Sequence, residues 1–348
     1  MMNILRFAFF GTPRFAEIVL DELEQKGFVP TLIVTAPDKP KGRKLIVTPS
    51  EVKVWAQKRG IPVFTPEKLR DEPFLAELKM ANCDLFIVAA YGKIIPKLVL
   101  DMPRHGALNV HPSLLPKLRG PSPVESTILS GEISTGVTII LLDEEMDHGP
   151  IIAQCSNYDG NTQGGSAYKG EDGQLLQGLT FQNTTESTSI FLRGIPLRKI
   201  GRQGETLGRL PPCMRYRPVQ LDWPPKGSEL SDMLAHQGGM LLVEVIPEWM
   251  SGKLKTHSQD HSHATYTKKI VKEDGMIDLS ADPLMNYRKI RAFDEWPGAY
   301  FFTERNGKHI RVRITDATYA DGRITIVRVL PEGKREMSYE DFLRGTQQ

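Results

Sequence analysis

Leu85-Phe86-Ile87-Val88-Ala89-Ala90 is an unbroken apolar run that opens onto Tyr91-Gly92. A run this short, closed by a turn residue, reads as a strand buried on both faces. Working outward, similar runs at 5–10 and 29–36 alternate with helical patterns at 13–26, 52–59 and 74–80. Short strands are expected at 62–64 and 107–110, a helix at 123–130, and strands at 137–142 and 151–154. Apolar strands separated by helices define an α/β, Rossmann-like domain whose mostly parallel sheet is covered on both faces. Working residues in such a sheet sit outside the carboxyl ends of its strands.

The remainder of the chain divides differently. Residues 156–220 hold 10 of the 30 glycines, 8 basic and 5 acidic residues, and no sustained period of 2 or 3.6. That composition suits a flexible insertion better than a packed domain. Helical periodicity returns at 228–249, where Leu230, Met233, Leu234, Leu241, Leu242, Val245 and Ile246 share a face. After a polar connector at 253–264, a helix is expected at 283–293, strands at 300–304, 309–315 and 324–330, and a helix at 339–344. The economical reading of that module is a small β-barrel, OB-like in one option. The expected domains are therefore 1–155 (catalytic), 156–220 (insertion), 221–263 (linker helix and connector) and 264–348 (C-terminal barrel).

Composition excludes several classes. With 44 Lys+Arg against 42 Asp+Glu in 348 residues the net charge is only +2, so any nucleic acid must be met by local patches. Cys83, Cys155 and Cys213 are widely spaced and form no Cys-x-x-Cys, which points to a reducing compartment and away from a disulfide framework or structural zinc. No apolar run approaches the roughly 20 residues that span a bilayer. The first run carries Arg6 and lacks a cleavage site, so no membrane and a cytoplasmic location are expected. Phe10-Gly11-Thr12-Pro13 is not a Gly-x-Gly-x-x-Gly and a basic loop follows Asp38, so the architecture is not expected to bind a nicotinamide.

The densest chemistry lies in Asn109-Val110-His111-Pro112-Ser113-Leu114-Leu115-Pro116, then Arg119-Gly120, then Asp147-His148-Gly149-Pro150. Asn109 and His111 are two apart at the end of a short strand and start on one face. Asp147 lies in the loop joining the next two strands. An amide, an imidazole and a carboxylate with no Ser or Cys nucleophile suit attack by an external amine on a bound acyl group. By spacing alone, a turn cap, a structural imidazole and a loop carboxylate explain them equally well. The loop 37–44 sets Lys39, Lys41, Arg43 and Lys44 against Asp38, a net charge of +3. Lys308, Arg311 and Arg313 could line one strand face, and an ordinary polar face is as good a reading. His257, Asp260, His261 and His263 have no metal-ligand spacing and read as a solvated linker, so no metal is expected.

Asn-x-His-Pro-Ser-Leu-Leu-Pro-x-x-Arg-Gly with Met146-Asp147-His148-Gly149-Pro150 resembles the signature of the folate-dependent formyltransferases, most closely the branch acting on methionyl-tRNA. Phe10-Gly11-Thr12-Pro13-x-Phe15-Ala16, Ala36-Pro37-Asp38-Lys39-Pro40, Gly42-Arg43-Lys44-Leu45 and Ala90-Tyr91-Gly92 are similar to other motifs of that family. So are Gln259-Asp260, Ala264-Thr265-Tyr266, Lys272-Glu273-Asp274-Gly275 and Trp296-Pro297-Gly298-Ala299-Tyr300. The resemblance implies that a formyl group passes from 10-formyltetrahydrofolate to the α-amine of methionyl-initiator-tRNA. It implies that Asn109 and His111 hold the formyl oxygen while Asp147 sets the His protonation. Val88, Ala89, Ala90, Tyr91, Gly92 and Asp143 would hold the folate donor, with Ser113, Leu114, Leu115 and Pro116 beside it. Lys39, Lys41, Arg43 and Lys44 would meet the acceptor end of the tRNA, Arg43 foremost, and the C-terminal module with Lys308, Arg311 and Arg313 would support it. The expected acting unit is a monomer without a metal. Two other readings stand beside this one: a relative that formylates a small-molecule amine, and an RNA-binding relative silenced by the insertion. The insertion follows Ile151-Ile152-Ala153-Gln154 directly, and Asp294 and Glu295 also depart from the family pattern.

Overall fold

The computed structural model describes residues 5–41, 45–156, 189–191, 223–305 and 307–345. They form two compact units: Met1–Arg119 with Ser134–Pro218 and Asp232–Tyr266, and Gly120–Ile133 with Val219–Ser231 and Thr267–Gln348. The insertion expected at 156–220 lies outside the described residues except for Ser156 and Ser189–Phe191.

The first unit is built on β1 (Phe7–Gly11), β2 (Leu32–Val34), β5 (Val63–Phe64), β6 (Leu85–Ala89) and β7 (Ala107–His111). These run parallel in the order β5-β2-β1-β6-β7. All five residues of β1, β6 and β7 are buried, as strands covered on both faces require. The ring of Phe10 of β1 packs, tilted by 50°, with its centroid 5.1 Å from that of Phe86 of β6. Helices α1 (Arg14–Gln25), α2 (Glu51–Lys58), α3 (Glu72–Met80) and α4 (Lys97–Leu100) fill the connections. Helix α1 turns Phe15, Ala16, Ile18, Val19, Leu20 and Leu23 inward at helical spacing.

The sheet continues through β8 (Gly136–Leu141), β9 (Ile151–Ser156) and β10 (Ser189–Phe191), each antiparallel to its neighbour. An α/β architecture is thus borne out, with an antiparallel extension that apolar runs alone do not reveal. The connection from β8 to β9 is too short for a crossover, so these strands form a hairpin. The loop expected at 37–44 is partly structured: β3 (Lys39–Lys41) pairs antiparallel with β4 (Ile46–Thr48). Helix α6 (Gly227–Met250) carries two consecutive glycines, Gly238 facing the sheet of this unit and Gly239 facing α1. A Cβ on Gly238 would overlap Val110, and one on Gly239 would overlap Glu22, so small residues let the helix lie flat there.

The second unit contains α5 (Pro123–Ser130), α7 (Pro283–Ala292) and a four-stranded antiparallel sheet, β11 (Tyr300–Arg305), β12 (Lys308–Ala320), β13 (Arg323–Pro331) and β14 (Met337–Ser338), in that order. Helix α8 (Tyr339–Arg344) closes the chain. Strand β12 is longer than its pattern suggests because Asp321-Gly322, both at positive φ (51° and 73°), make a tight hairpin to β13. Irregular register at Ile314–Asp316 bends it. Ile277, Ile290, Phe301, Val312, Val329 and Phe342 supply the core.

Candidate active site

Strand β7 carries Asn109 and His111 on one face, as the two-residue repeat of a strand dictates. Asn109 is paired with Val88 of β6 on one side and Ile140 of β8 on the other, and His111 with Thr138. Both polar side chains are buried, 9% and 4% exposed.

The imidazole of His111 has a neighbour at each ring nitrogen, one within hydrogen-bond distance and one further off. Its Nε2 lies 3.0 Å from the Leu118 carbonyl oxygen, which can only accept, so Nε2 carries a proton. Its Nδ1 faces Oδ1 of Asp147 at 3.5 Å. Nδ1 is therefore the ring nitrogen turned to the carboxylate. Asp147 sits in the hairpin loop between β8 and β9 with φ +51°, a left-handed backbone that Asp tolerates better than most residues. Gly149 makes that loop possible, because a Cβ there would overlap the Leu141 carbonyl.

The loop after His111 is held by its own polar groups. The Ser113 hydroxyl donates to the Lys117 carbonyl at 2.7 Å. Thr138 Oγ1 donates to the Ser113 carbonyl at 2.7 Å and accepts from the Leu115 amide at 3.1 Å. Gln154 Nε2 donates to the Leu115 carbonyl at 2.7 Å. Ser113 and Leu115, expected beside the donor, thus spend these groups within the protein, while Leu114 and Pro116 are half-buried. At the end of β6, Val88 and Ala89 are buried, and Ala90 (φ +46°) and Gly92 (φ +77°) are exposed at the strand's carboxyl end. Tyr91 turns inward against Phe10, and burial pushes its phenol up to about 12. Asp143 accepts from Nδ1 of His148 at 2.6 Å. The fold brings Val88, Asn109, His111 and Asp147 together, and ties Asp143 into the hairpin loop.

The basic residues fare unevenly. Lys39 and Lys41 lie on the β3–β4 hairpin, whose Leu45, Ile46 and Val47 are 70%, 62% and 63% exposed. Arg43 and Lys44 lie outside the described residues. In the second unit, Lys308 is exposed. Arg311 instead stacks its guanidinium 3.8 Å from the Tyr300 ring, and Arg313 donates to the carbonyls of Asp294 and Glu295. These two cations are engaged inside their unit, so the open cationic face expected from 308, 311 and 313 shrinks to Lys308.

Sequence reasoning missed Arg119 and Gln259. Arg119 is 1% exposed and donates to Gln259 Oε1 through Nε at 3.1 Å and Nη2 at 2.6 Å. The connector expected to be a solvated linker is exposed at Asp260, His261 and His263 but tied down at two points: His257 and Ile151 exchange main-chain hydrogen bonds of 2.7 and 2.8 Å, and Gln259 is buried. The signal was present as Arg119-Gly120 and Gln259-Asp260 among the family motifs, without a role attached. Among the described residues no group of His, Cys, Asp and Glu is arranged to hold a metal, and no helix is long and apolar enough to cross a membrane.

Comparison with known proteins gives the class first. Residues 4–157 match the family described as "Formyl transferase" and residues 269–322 match "Formyl transferase, C-terminal domain". Methionyl-tRNA formyltransferase of Chloroflexus aggregans is 35% identical over 364 aligned residues, covering 98% of this chain and 97% of that protein. The chain belongs to the methionyl-tRNA formyltransferase family. Among solved structures, methionyl-tRNA formyltransferase from Clostridium thermocellum shares the fold with a TM-score of 0.54 at 14% identity, covering 94% of this chain and 98% of that one. HypX from Aquifex aeolicus in complex with tetrahydrofolic acid shares it at 0.51 and 16%, covering 98% of this chain and 47% of that one.

Proposed function

We propose that this chain transfers the formyl group of 10-formyltetrahydrofolate to the α-amine of methionyl-initiator-tRNA. The observation that carries the reading is the His111–Asp147 contact, with Nε2 committed to a carbonyl and Nδ1 left to exchange a proton beside a carboxylate. The amine nitrogen attacks the formyl carbon, forming a C–N bond and placing negative charge on the formyl oxygen. The Asn109 amide and a protonated His111 Nδ1 stabilise that oxyanion, and preorganised donors of this kind supply much of an acyl-transfer enzyme's acceleration. An α-amine has a pKa of roughly 7.7–8.0, so enough is neutral near neutral pH to attack without a strong base. The nitrogen then loses its extra proton towards Asp147, the bond from the formyl carbon to N10 of the folate breaks, and N10 takes up a proton. Ala90 and Gly92 are exposed at the carboxyl end of β6, and this reading gives their main chain the contact with the folate ring. On the tRNA side, the β3–β4 hairpin combines lysines with exposed apolar residues, a mixture suited to phosphate and to unstacked bases at an acceptor end.

The test is incorporation of labelled formyl from 10-formyltetrahydrofolate into charged initiator tRNA, compared with small amines and amino sugars. Formyl-methionyl-tRNA as the dominant product is expected. A strong preference for a small amine, or stoichiometric RNA binding with no transfer, overturns the reading.

A further inference from the structure

His111 ends strand β7 and Asp147 lies in the β8–β9 loop, and their direct contact of 3.5 Å is too long to hold the two in register. A third element does so. The Gln259 carboxamide donates through Nε2 to the carbonyls of Asp147 and Gly149, at 2.8 and 2.7 Å. Its Oε1 accepts the two-pronged donation of Arg119. Arg119 directly follows Leu118, whose carbonyl fixes the His111 ring. Leu118 itself stands at φ +61°, with its amide donating to Thr265 Oγ1 at 2.8 Å. The contacts close a ring: His111, Leu118, Arg119, Gln259, Asp147, and back to His111. We infer that Arg119 and Gln259 are positioning residues that set the separation of His111 from Asp147, an inference that rests on the formyl-transfer reading for its kinetic consequence.

Two features separate this role from a general clamp. The partners of the buried Arg119 guanidinium are neutral: the Gln259 amide oxygen, the Tyr266 hydroxyl at 3.3 Å and His261 Nδ1 at 2.8 Å. None of these hydrogen-bond partners is a carboxylate. A buried cation without an acid partner is a poor device for stability, and an apolar side chain would serve packing better. The geometry of the Gln259 amide is also specific. Both of its hydrogens go to the loop that carries Asp147, and its oxygen goes to the arginine that follows the His111 anchor. No other residue type offers two donors and one acceptor with that reach and no charge.

The discriminating variant is Gln259→Glu, nearly the same size, which keeps an acceptor for Arg119 and removes both donors to the Asp147 loop. In steady-state formyl transfer to methionyl-tRNA, turnover is expected to fall about 100-fold, the scale of a misplacement near 1 Å, with both KM values within about threefold. In an Asp147→Asn background the same change is expected to add less than a twofold loss, because it acts through Asp147. Independently of activity, hydrogen–deuterium exchange in 143–150 is expected to rise at least tenfold while β1 and β6 stay protected. Wild-type turnover, a full additive loss in the double variant, or unchanged exchange in 143–150 each overturns the inference. A wild-type protein that transfers no formyl group refutes the proposed function, and the exchange experiment then decides the positioning role alone.

Discussion

Oδ1 of Asp147 lies 3.5 Å from Nδ1 of His111, while Nε2 of the same ring is 3.0 Å from the Leu118 carbonyl oxygen. Because the carbonyl accepts only, Nε2 is the donor in that bond, and the carboxylate faces the other ring nitrogen. Asp147→Asn removes the charge and keeps the shape. Turnover at saturating substrates should fall by about 10²–10⁴, the range of a lost general acid–base contribution, with little change in either KM. Single-turnover quench-flow on the variant checks this; a loss expressed wholly in KM contradicts it.

Asn109 offers an amide on the same strand face, so Asn109→Ala should cost about 10²–10³ in turnover, as loss of one oxyanion donor does elsewhere. Asn109→Asp is the stricter test, since it keeps the size and places negative charge beside a developing oxyanion. It should be at least as inactive as the alanine variant. Comparing kcat of the two under saturating folate and tRNA is the measurement.

Arg43, which falls between Lys41 and Ile46 in the sequence, is expected to meet phosphate. Arg43→Ala should raise KM for methionyl-tRNA roughly tenfold, the worth of about 1.4 kcal/mol, and leave KM for the folate unchanged. The tRNA effect should shrink in high salt as screening weakens the contact in both proteins. A selective change in folate KM would remove Arg43 from the tRNA surface.

Glu125 of α5 provides a prediction on stability. Burial, reinforced by the Asp294 carboxylate, pushes its carboxyl above the ordinary carboxylate range. The folded state then binds this proton more tightly than the unfolded state. Stability is lost as pH rises from the unfolded value, roughly 4.3, through the raised folded value. Glu125→Gln should therefore raise the thermal midpoint of the second unit near neutral pH and make no difference near pH 4. Calorimetry at the two pH values is the check, and equal midpoints near neutrality would show that the carboxyl is not held out of water.

The parts of this fold that sequence carries are those written in local pattern. The helices at Pro123–Ser130 and Tyr339–Arg344 begin and end where their caps and periodicity place them. The strands β1 and β6 are plain as apolar runs, and Asn109 and His111 are visible as an i, i+2 pair. Strand direction is not written that way: β8 and β9 are as apolar as their parallel neighbours, and only the short connection through Asp147 makes them a hairpin. The alternating pattern predicts a strand ending at Thr315, while the Asp321-Gly322 turn carries pairing to Ala320. Arg311 and Arg313 looked alike as cations on one face, yet their guanidinium groups turn to the Tyr300 ring and to main-chain carbonyls within the unit. Arg119 and Gln259 are separated by 140 residues, so no spacing rule could join them. The proposed assignments of donor and tRNA contacts lie further still from local pattern, since each needs a bound substrate to exist.

Ala90, just past the end of β6, and Leu118, whose carbonyl meets the His111 ring, hold left-handed backbones, φ +46° and +61°. A side chain in that conformation costs about 1–3 kcal/mol, which glycine would largely release. Directed evolution scored on heat tolerance alone would tend to collect Ala90→Gly and Leu118→Gly. The resulting catalysts would survive hotter processing with slacker hinges and slower chemistry, so any such campaign on this enzyme should screen for rate at these two codons from the first round.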